Sequence, residues 1–320
     1  MSVAVTGGSG VVGSAIVRHL VAAGNEVRAL ARSDTAAGRL VGLGATPVRG
    51  DVLDESSLEP LVRGCETVFH VAGVNELCSR DPGRMWRVNV DGTRTVLDAC
   101  SRSDVERVVH TSSVVTVGQE RGFVADETAT HRGSFLSEYE RSKWEAERIA
   151  LTHDWGLDVV SVNPASVQGP GRATGTGELL LLAARGVPLA VDSTVSIVDI
   201  DDCARGHLLA ADNGVPGQRY LLSGATLTLR DLISRVARLT GGRRPRFVRA
   251  SVVRAVAPFV EIVFRALGRQ TPLCAESARV LLGGLAYDGA KAMHDLGLRY
   301  TPIEETLERT VTWFRGQGLL

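Results

Sequence analysis

The chain predicts an α/β fold: a doubly wound parallel sheet with helices on both faces, followed by a smaller, discontinuous C-terminal domain. Three observations predict it. A short apolar run opens the chain and turns through glycines into an apolar-periodic segment. Apolar β-rich runs then alternate with helix-period segments as far as Pro164. The residues most suggestive of chemistry fall at the ends of those runs. Strands alternating with helices imply a parallel sheet covered on both sides. Ligands of such sheets sit beyond the carboxyl ends of the strands.

Ser2 to Thr6 is the first expected strand, followed by Gly7-Gly8-Ser9-Gly10-Val11-Val12-Gly13 and a helix over Ala15 to Val21. Such a turn presents backbone N–H groups and a positive helix end to a pyrophosphate. Gly7, Gly10 and Gly13 are spaced G-x-x-G-x-x-G, and a dinucleotide is expected along Gly7, Gly10, Val11, Val12 and Gly13. Glu26 to Ala31 is the second strand. Where an NAD enzyme commonly carries a carboxylate for the ribose, this chain reads Ala31-Arg32-Ser33. Arg32 can pair with a 2′-phosphate, and Arg39 could reach it from the next helix. NADP(H) is therefore favoured as cofactor, with NAD(H) the alternative.

Thr46 to Arg49 is the third strand, ending at Gly50-Asp51-Val52; Thr67 to Val71 is the fourth, ending at Ala72-Gly73. Asp81 to Cys100 reads as one long helix. Arg107 to Thr111, the fifth strand, runs into Ser112-Ser113. A helix over Ser134 to Leu151 carries Tyr139 and Lys143, and Leu157 to Val162 is the sixth strand. Residues i and i+4 share a helix face, so phenol and ammonium project together. Of 36 basic residues only Lys143 and Lys291 are lysines, which makes the pair conspicuous.

After Pro164 the alternation weakens. Gly169-Pro170-Gly171 and Gly175-Thr176-Gly177 mark loops, and helices are expected over Glu178 to Arg185, Ile200 to Ala211 and Ile303 to Arg315, with a short strand over Ser196 to Asp199. We expect a dinucleotide-binding domain over 1–165, with 217–223 returning to the sheet, and a mostly substrate-binding domain over 166–320. Asp201 and Asp202 are expected to serve a helix N-terminus, and His70 and His110 to be structural.

Formal net charge is zero and the arginines are scattered, which argues against a nucleic-acid surface. The five cysteines form no C-x-x-C pair and are expected as buried thiols rather than as a disulfide framework or zinc site. The chain enters a strand at once, so no leader is expected, and a cytoplasmic protein is the expectation. Val252 to Leu267 is interrupted by Arg254, Pro258, Glu261 and Arg265, too broken for a membrane span. It suits an amphipathic or core helix, or the roof of an apolar pocket, with attachment to a membrane interface the lesser alternative.

Together Thr6 to Gly13, Gly50-Asp51-Val52, His70-Val71-Ala72-Gly73, Asn89-Val90-Asp91-Gly92-Thr93, Thr111-Ser112-Ser113, Tyr139 to Lys143 and Pro164 to Pro170 resemble the extended short-chain dehydrogenase/reductase family. The resemblance covers nearly the whole chain. It is strongest to the dihydroflavonol-reductase-like branch and the hopanoid-associated sugar epimerases, and it implies a Rossmann sheet. It further implies Ser113, Tyr139 and Lys143 as the catalytic group. Ser113 is chosen over Ser112 because it lies five residues before Gly118, as in the family pattern. Asp51 and Val52 would meet the adenine, and Pro164 and Ser166 would flank the nicotinamide. A homodimer through the Asn89 and Tyr139 helices is the family analogy.

A free tyrosine titrates near ~10. A neighbouring ammonium and the cationic nicotinamide would favour its phenolate. The resemblance leaves three readings open: NADPH-dependent reduction of a ketone or aldehyde on a fairly apolar small molecule, which is the expectation; nucleotide-sugar epimerisation or dehydration that recycles the hydride; and a non-catalytic cofactor sensor, which the intact Ser113, Tyr139 and Lys143 disfavour. The usual sugar-enzyme pattern begins the strand before the paired aspartates with an arginine, where this chain has Val195. That argues against a sugar diphosphate, although Arg172 or Arg219 could substitute.

Overall fold

Seven parallel strands form the main sheet in a computed structural model, which describes residues 1–320 except 119, 121, 176, 243, 244, 270 and 272. They are β1 (Ser2–Thr6), β2 (Glu26–Ala31), β3 (Thr46–Arg49), β4 (Thr67–His70), β5 (Arg107–Thr111), β6 (Asp158–Pro164) and β7 (Arg219–Leu222). Their spatial order is β3-β2-β1-β4-β5-β6-β7. Successive strand residues face opposite sides. Val3, Val5, Phe69, Val109 and Val160 enter one core, whereas Ala4, Val68, Val108 and Val159 enter the other. Helices Val11–Ala22 and Ile200–Asn213 close the first side, and Glu55–Val62, Gly92–Ser101 and Glu138–Thr152 the second. Burial on both faces is why the strands read as near-continuous apolar runs.

Strand order reverses between β1 and β4, which opens a crevice where their carboxyl ends diverge. The two ends approach closely at Gly7. Its φ is +70°, and a Cβ there would lie 2.6 Å from the Ala72 nitrogen, so glycine is required.

The expected single helix over 81–100 is broken by a π turn. Pro82–Trp86 and Gly92–Ser101 are α-helical, with Arg87–Asp91 wound wider between them. The widened turn carries Asn89. Its Oδ1 accepts from Val74 N at 2.7 Å, and its Nδ2 donates to Val74 O at 2.9 Å and to Ser142 Oγ at 2.9 Å. One amide thereby pins the segment after β4 to the Tyr139 helix, a local use typical of π turns. That helix begins at Glu138 rather than Ser134, because Ser137 Oγ caps it by accepting from Glu140 N at 3.1 Å.

The later residues build a three-stranded sheet from Ser166–Gln168, Thr194–Asp199 and Ala225–Thr228. Two-stranded pairs join Leu189–Val191 to Arg246–Val248 and Val124–Ala125 to Ala286–Tyr287. Helices Gly177–Arg185, Leu229–Thr240 and Ile303–Gly316 enclose a third core around Leu180, Leu232 and Phe314. Thr176, in the expected loop over 175–177, lies outside the described residues.

Asp201 and Asp202 lie in the first turn of the Ile200–Asn213 helix as expected, while Asp199 supplies its cap, accepting from Asp201 N at 2.8 Å. Asp201 also pairs with Arg309 and His19, and Asp202 accepts from Thr301 N at 2.6 Å, so both carboxylates tie this helix to the C-terminal segment. One expectation is corrected. Cys78 and Cys274 form a disulfide, with Cα atoms 6.0 Å apart, while Cys65, Cys100 and Cys203 are buried thiols. The bridged pair is separated by 196 residues, so no local spacing could signal it. Among the described residues, no helix is long and apolar enough to cross a membrane.

Candidate active site

A cavity of about 1240 Å³ runs along the carboxyl ends of β1, β4, β5 and β6. The first glycine turn lines one end with Gly7, Gly10, Val11, Val12 and Gly13. Beyond it stand Arg32, Asp51 and Val52, then Ala72 and Gly73. Ser113, Tyr139, Lys143, Pro164 and Ser166 line the middle. These expected residues come together from the carboxyl ends of six strands, β1 to β6, and one helix. Arg39 does not join them: it is absent from the lining, and its Nη1 donates to Ser9 O at 2.9 Å. Arg32 Nη1 lies 3.9 Å from Asp51 Oδ2, and both side chains are well exposed, so this ion pair contributes little.

Tyr139 is partly buried in the cavity wall, and burial raises its phenol above the ordinary range. A hydrogen bond from Ser113 and the charge of Arg172 act the other way without winning. The expected lowering by the Lys143 ammonium is therefore not what dominates. Lys143 is buried and donates from Nζ to Thr111 O at 2.5 Å. Burial brings its pKa down to about 8, with Glu147 opposing the fall.

Beneath these side chains lies a buried polar layer the sequence did not announce. Asn163 Nδ2 donates to Ser113 O at 3.2 Å, to Thr116 Oγ1 at 3.0 Å and to the Glu147 carboxylate. Glu147 also accepts from Thr116 Oγ1 at 3.0 Å and from Arg219 Nη1 at 3.2 Å. Buried carboxylates persist when paired and hydrogen-bonded in this way. A polar Asn163 in a strand buried on both faces was the available signal. Glu147 had none, because glutamate on a charged helix reads as solvated.

His70 is fixed in one tautomer by its neighbours. Thr93 Oγ1 donates to Asn89 O at 2.6 Å, so it accepts from His70 Nε2 at 3.0 Å, and Thr6 Oγ1 donates to Nδ1 at 2.7 Å. Burial and then Lys143 bring its pKa down to about 3. His110 is also buried, and its ring nitrogens have no hydrogen-bond partner among the described residues.

The opposite wall is apolar. Leu273, Val280 and Leu281, on and before the Ala275–Gly283 helix, face the cavity with Leu136, Leu179 and Val195. The expected roof residues from Val252 to Leu267 are absent from the lining; the Ala275–Gly283 helix takes that place. Arg172 lines the cavity, but Arg219 does not, being held at Glu147.

A glycine turn that only glycine fits, opposite a second strand end, is a dinucleotide cradle in geometry. The model of the NAD dependent epimerase/dehydratase family matches residues 3–223. The chain belongs to that family. It is an NAD(P)-dependent oxidoreductase of the extended short-chain dehydrogenase/reductase type. A Synechocystis protein named provisionally as dihydroflavonol 4-reductase is 34% identical over 98% of this chain and 94% of its own length. Sterol demethylase protein B of Methylococcus capsulatus is 32% identical over 100% of both chains. The crystal structure of Thermus thermophilus UDP-glucose 4-epimerase in complex with NAD matches with a TM-score of 0.78 at 26% identity, covering 99% of each chain.

Proposed function

We propose that this family member reduces a ketone or aldehyde carbonyl on a fairly apolar small molecule, with NADPH as reductant. The observation that carries the reading is the wall facing Tyr139. Leu273, Val280, Leu281, Leu179 and Val195 line it, and the family resemblance puts Val195 where a sugar-diphosphate enzyme usually carries an arginine. The names of two relatives, a provisional dihydroflavonol 4-reductase and a sterol demethylase protein, support a small-molecule substrate rather than a nucleotide sugar.

In this reading residues 1–165 with 217–223 hold the cofactor, and residues 166–320 mostly contact the substrate. Backbone N–H groups along Gly7, Gly10, Val11, Val12 and Gly13 take the pyrophosphate. Arg32 takes a 2′-phosphate, assisted from a distance by Arg39, and Asp51 and Val52 meet the adenine. Ala72 and Gly73 pass beside the cofactor, with Pro164 and Ser166 at the nicotinamide. Bound NADPH supplies the hydride. Tyr139 gives its phenolic proton to the carbonyl oxygen as charge develops there. Its raised pKa keeps that proton in place at neutral pH, the form a proton donor needs. Ser113 donates a hydrogen bond to the same oxygen, a one-donor oxyanion site. Lys143 holds the nicotinamide ribose with its compact ammonium.

Arg172 supports a second reading, because a guanidinium in the cavity wall can clamp a substrate phosphate. Nucleotide-sugar epimerisation or dehydration would then recycle the hydride internally. A steady-state assay separates the two. Net NADPH oxidation with members of a ketone and aldehyde panel is the expected result. Interconversion of UDP-sugars without net cofactor oxidation would overturn it. A homodimer through the Gly92–Ser101 and Glu138–Thr152 helices belongs to the same proposal, and a solution mass measurement tests it.

A further inference from the structure

The helix Ala250–Ala266 turns its apolar side outward. Among its described residues only Ala257 is buried. Phe259 is 70% exposed, Ile262 65%, Val263 53% and Leu267, just past the end, 64%. Val252, Val256, Phe259, Val263 and Leu267 recur at intervals of three or four residues and so form one stripe along the helix. Monomeric proteins seldom leave such a stripe uncovered.

Charge says what covers it. Between Arg246 and Arg269 the sequence has arginines at 246, 249, 254, 265 and 269, all exposed, and a single acid, Glu261. That acid is already occupied: its Oε1 pairs with Arg265 at 2.8 Å and its Oε2 accepts from Ala275 N at 3.1 Å. A two-fold dimer would bring the same patch against itself and set arginines beside arginines. Arg254 and Arg265 each lie two residues from members of the stripe and so project across the helix from it. Arg246, Arg249 and Arg269, however, bracket it at both ends, and an anionic lipid surface matches the stripe and that flanking charge. At ~1.5 Å per residue the helix is too short to span a bilayer and suits the interface plane.

We propose that this helix docks the protein on anionic membrane surfaces. The helix packs against Ala275–Gly283, the roof of the cavity, and the Glu261 bond to Ala275 N joins the two. Docking therefore places the roof beside the lipid, where an apolar substrate dissolves. The inference rests on the exposed stripe and its arginines and stands apart from the identity of the substrate.

Co-sedimentation of the full chain with vesicles tests it, comparing phosphatidylcholine mixed with phosphatidylglycerol against phosphatidylcholine alone. The wild type is expected in the pellet with the anionic vesicles, and to leave it as salt is raised. Phe259→Ser with Val263→Ser should weaken that partition by about tenfold or more. Arg249→Glu with Arg269→Glu should do the same, while melting temperature stays near wild type in both. Equal binding to neutral vesicles, no binding to either, or unchanged binding by the variants would overturn the proposal. So would a dimer in solution that Phe259→Ser with Val263→Ser dissociates, since the stripe would then be covered by a second copy.

Discussion

The two walls of the cavity are built by opposite means. On the main-sheet side, reactive groups are held by specific hydrogen bonds: Asn163 to Ser113 O, Thr111 O to Lys143, and Asn89 to both sides of Val74. The roof presents Leu273, Val280 and Leu281 and is attached at few points. The Cys78–Cys274 disulfide is one. The Glu276 carboxylate is another, accepting from Cys78 N at 2.7 Å and Glu138 N at 2.8 Å. One wall depends on residue identity at fixed places, the other on shape and on a few ties. Substitutions on the sheet side should therefore reach kcat, and those at the roof chiefly KM.

The largest effect is expected at Tyr139. Tyr139→Phe keeps the ring in the wall and removes the proton, and should lower kcat roughly a thousandfold. Melting temperature and cofactor affinity should move little. Leu281→Ala, by contrast, should raise KM several-fold at nearly constant kcat, the pattern of lost uniform binding. Turnover retained in Tyr139→Phe would sink the proposed chemistry. A kcat loss in Leu281→Ala as large as that in Tyr139→Phe would erase the distinction between the walls.

The same contrast explains what could be read beforehand. The main sheet was legible because two-sided burial leaves apolar runs of strand length, and because the glycine turn, Ser113 and the Tyr139–Lys143 spacing are local patterns. β1, β2, β3 and β5 fall on the expected bounds. The roof was not legible, since Leu273 and Val280 resemble core residues anywhere and acquire meaning only from position. The same holds for Cys78 and Cys274. Asn89 lay in a recognised motif, yet its backbone clamp depends on a π turn that helical periodicity does not reveal. Arg39 was suggested by residue type alone, and its side chain donates to Ser9 O at the edge of the glycine turn.

Loosening the roof sharpens the comparison next. Reduction, or Cys78→Ser with Cys274→Ser, should cost about 5 kcal/mol of stability by freeing the loop it closes across a separation of 196 residues. KM should rise while NADPH affinity is unchanged. Thermal melts with and without reductant, paired with initial rates, check both. A fall in cofactor affinity would mean that the roof also supports the sheet side.

A smaller effect is expected at the cofactor's far end. Arg32→Ala should weaken NADPH by about tenfold and leave NADH nearly unaffected, the modest size following from the exposure of the side chain. Titration of each cofactor into wild type and variant measures the difference. Equal losses for both would remove Arg32 from the phosphate and favour NAD.

The last test asks which wall acid attacks. His70 on β4 is buried neutral with its pKa near about 3, His207 near about 4, and His110 on β5 is held well below its ordinary value. Burial is the first cause in each. Once unfolded, each takes up a proton near the ordinary 6.5, so the unfolded state binds more protons below that pH. The contribution is therefore whole above about 6.5 and is lost progressively as pH falls toward the folded values. His70 alone should account for about 1.4 kcal/mol per pH unit within that window. His70→Gln removes the titration and can still hydrogen-bond near Thr6 and Thr93. Denaturant melts between neutral and mildly acidic pH should show the variant less stable at pH 7 but with a shallower pH slope than wild type. Because His70 and His110 lie on sheet strands and His207, on the Ile200–Asn213 helix, hydrogen-bonds Thr111 at the end of β5, the wild-type slope should persist when the roof disulfide is removed. Equal slopes for His70→Gln and wild type would show that His70 does not set acid sensitivity, and a slope abolished with the disulfide would move the weak point to the roof.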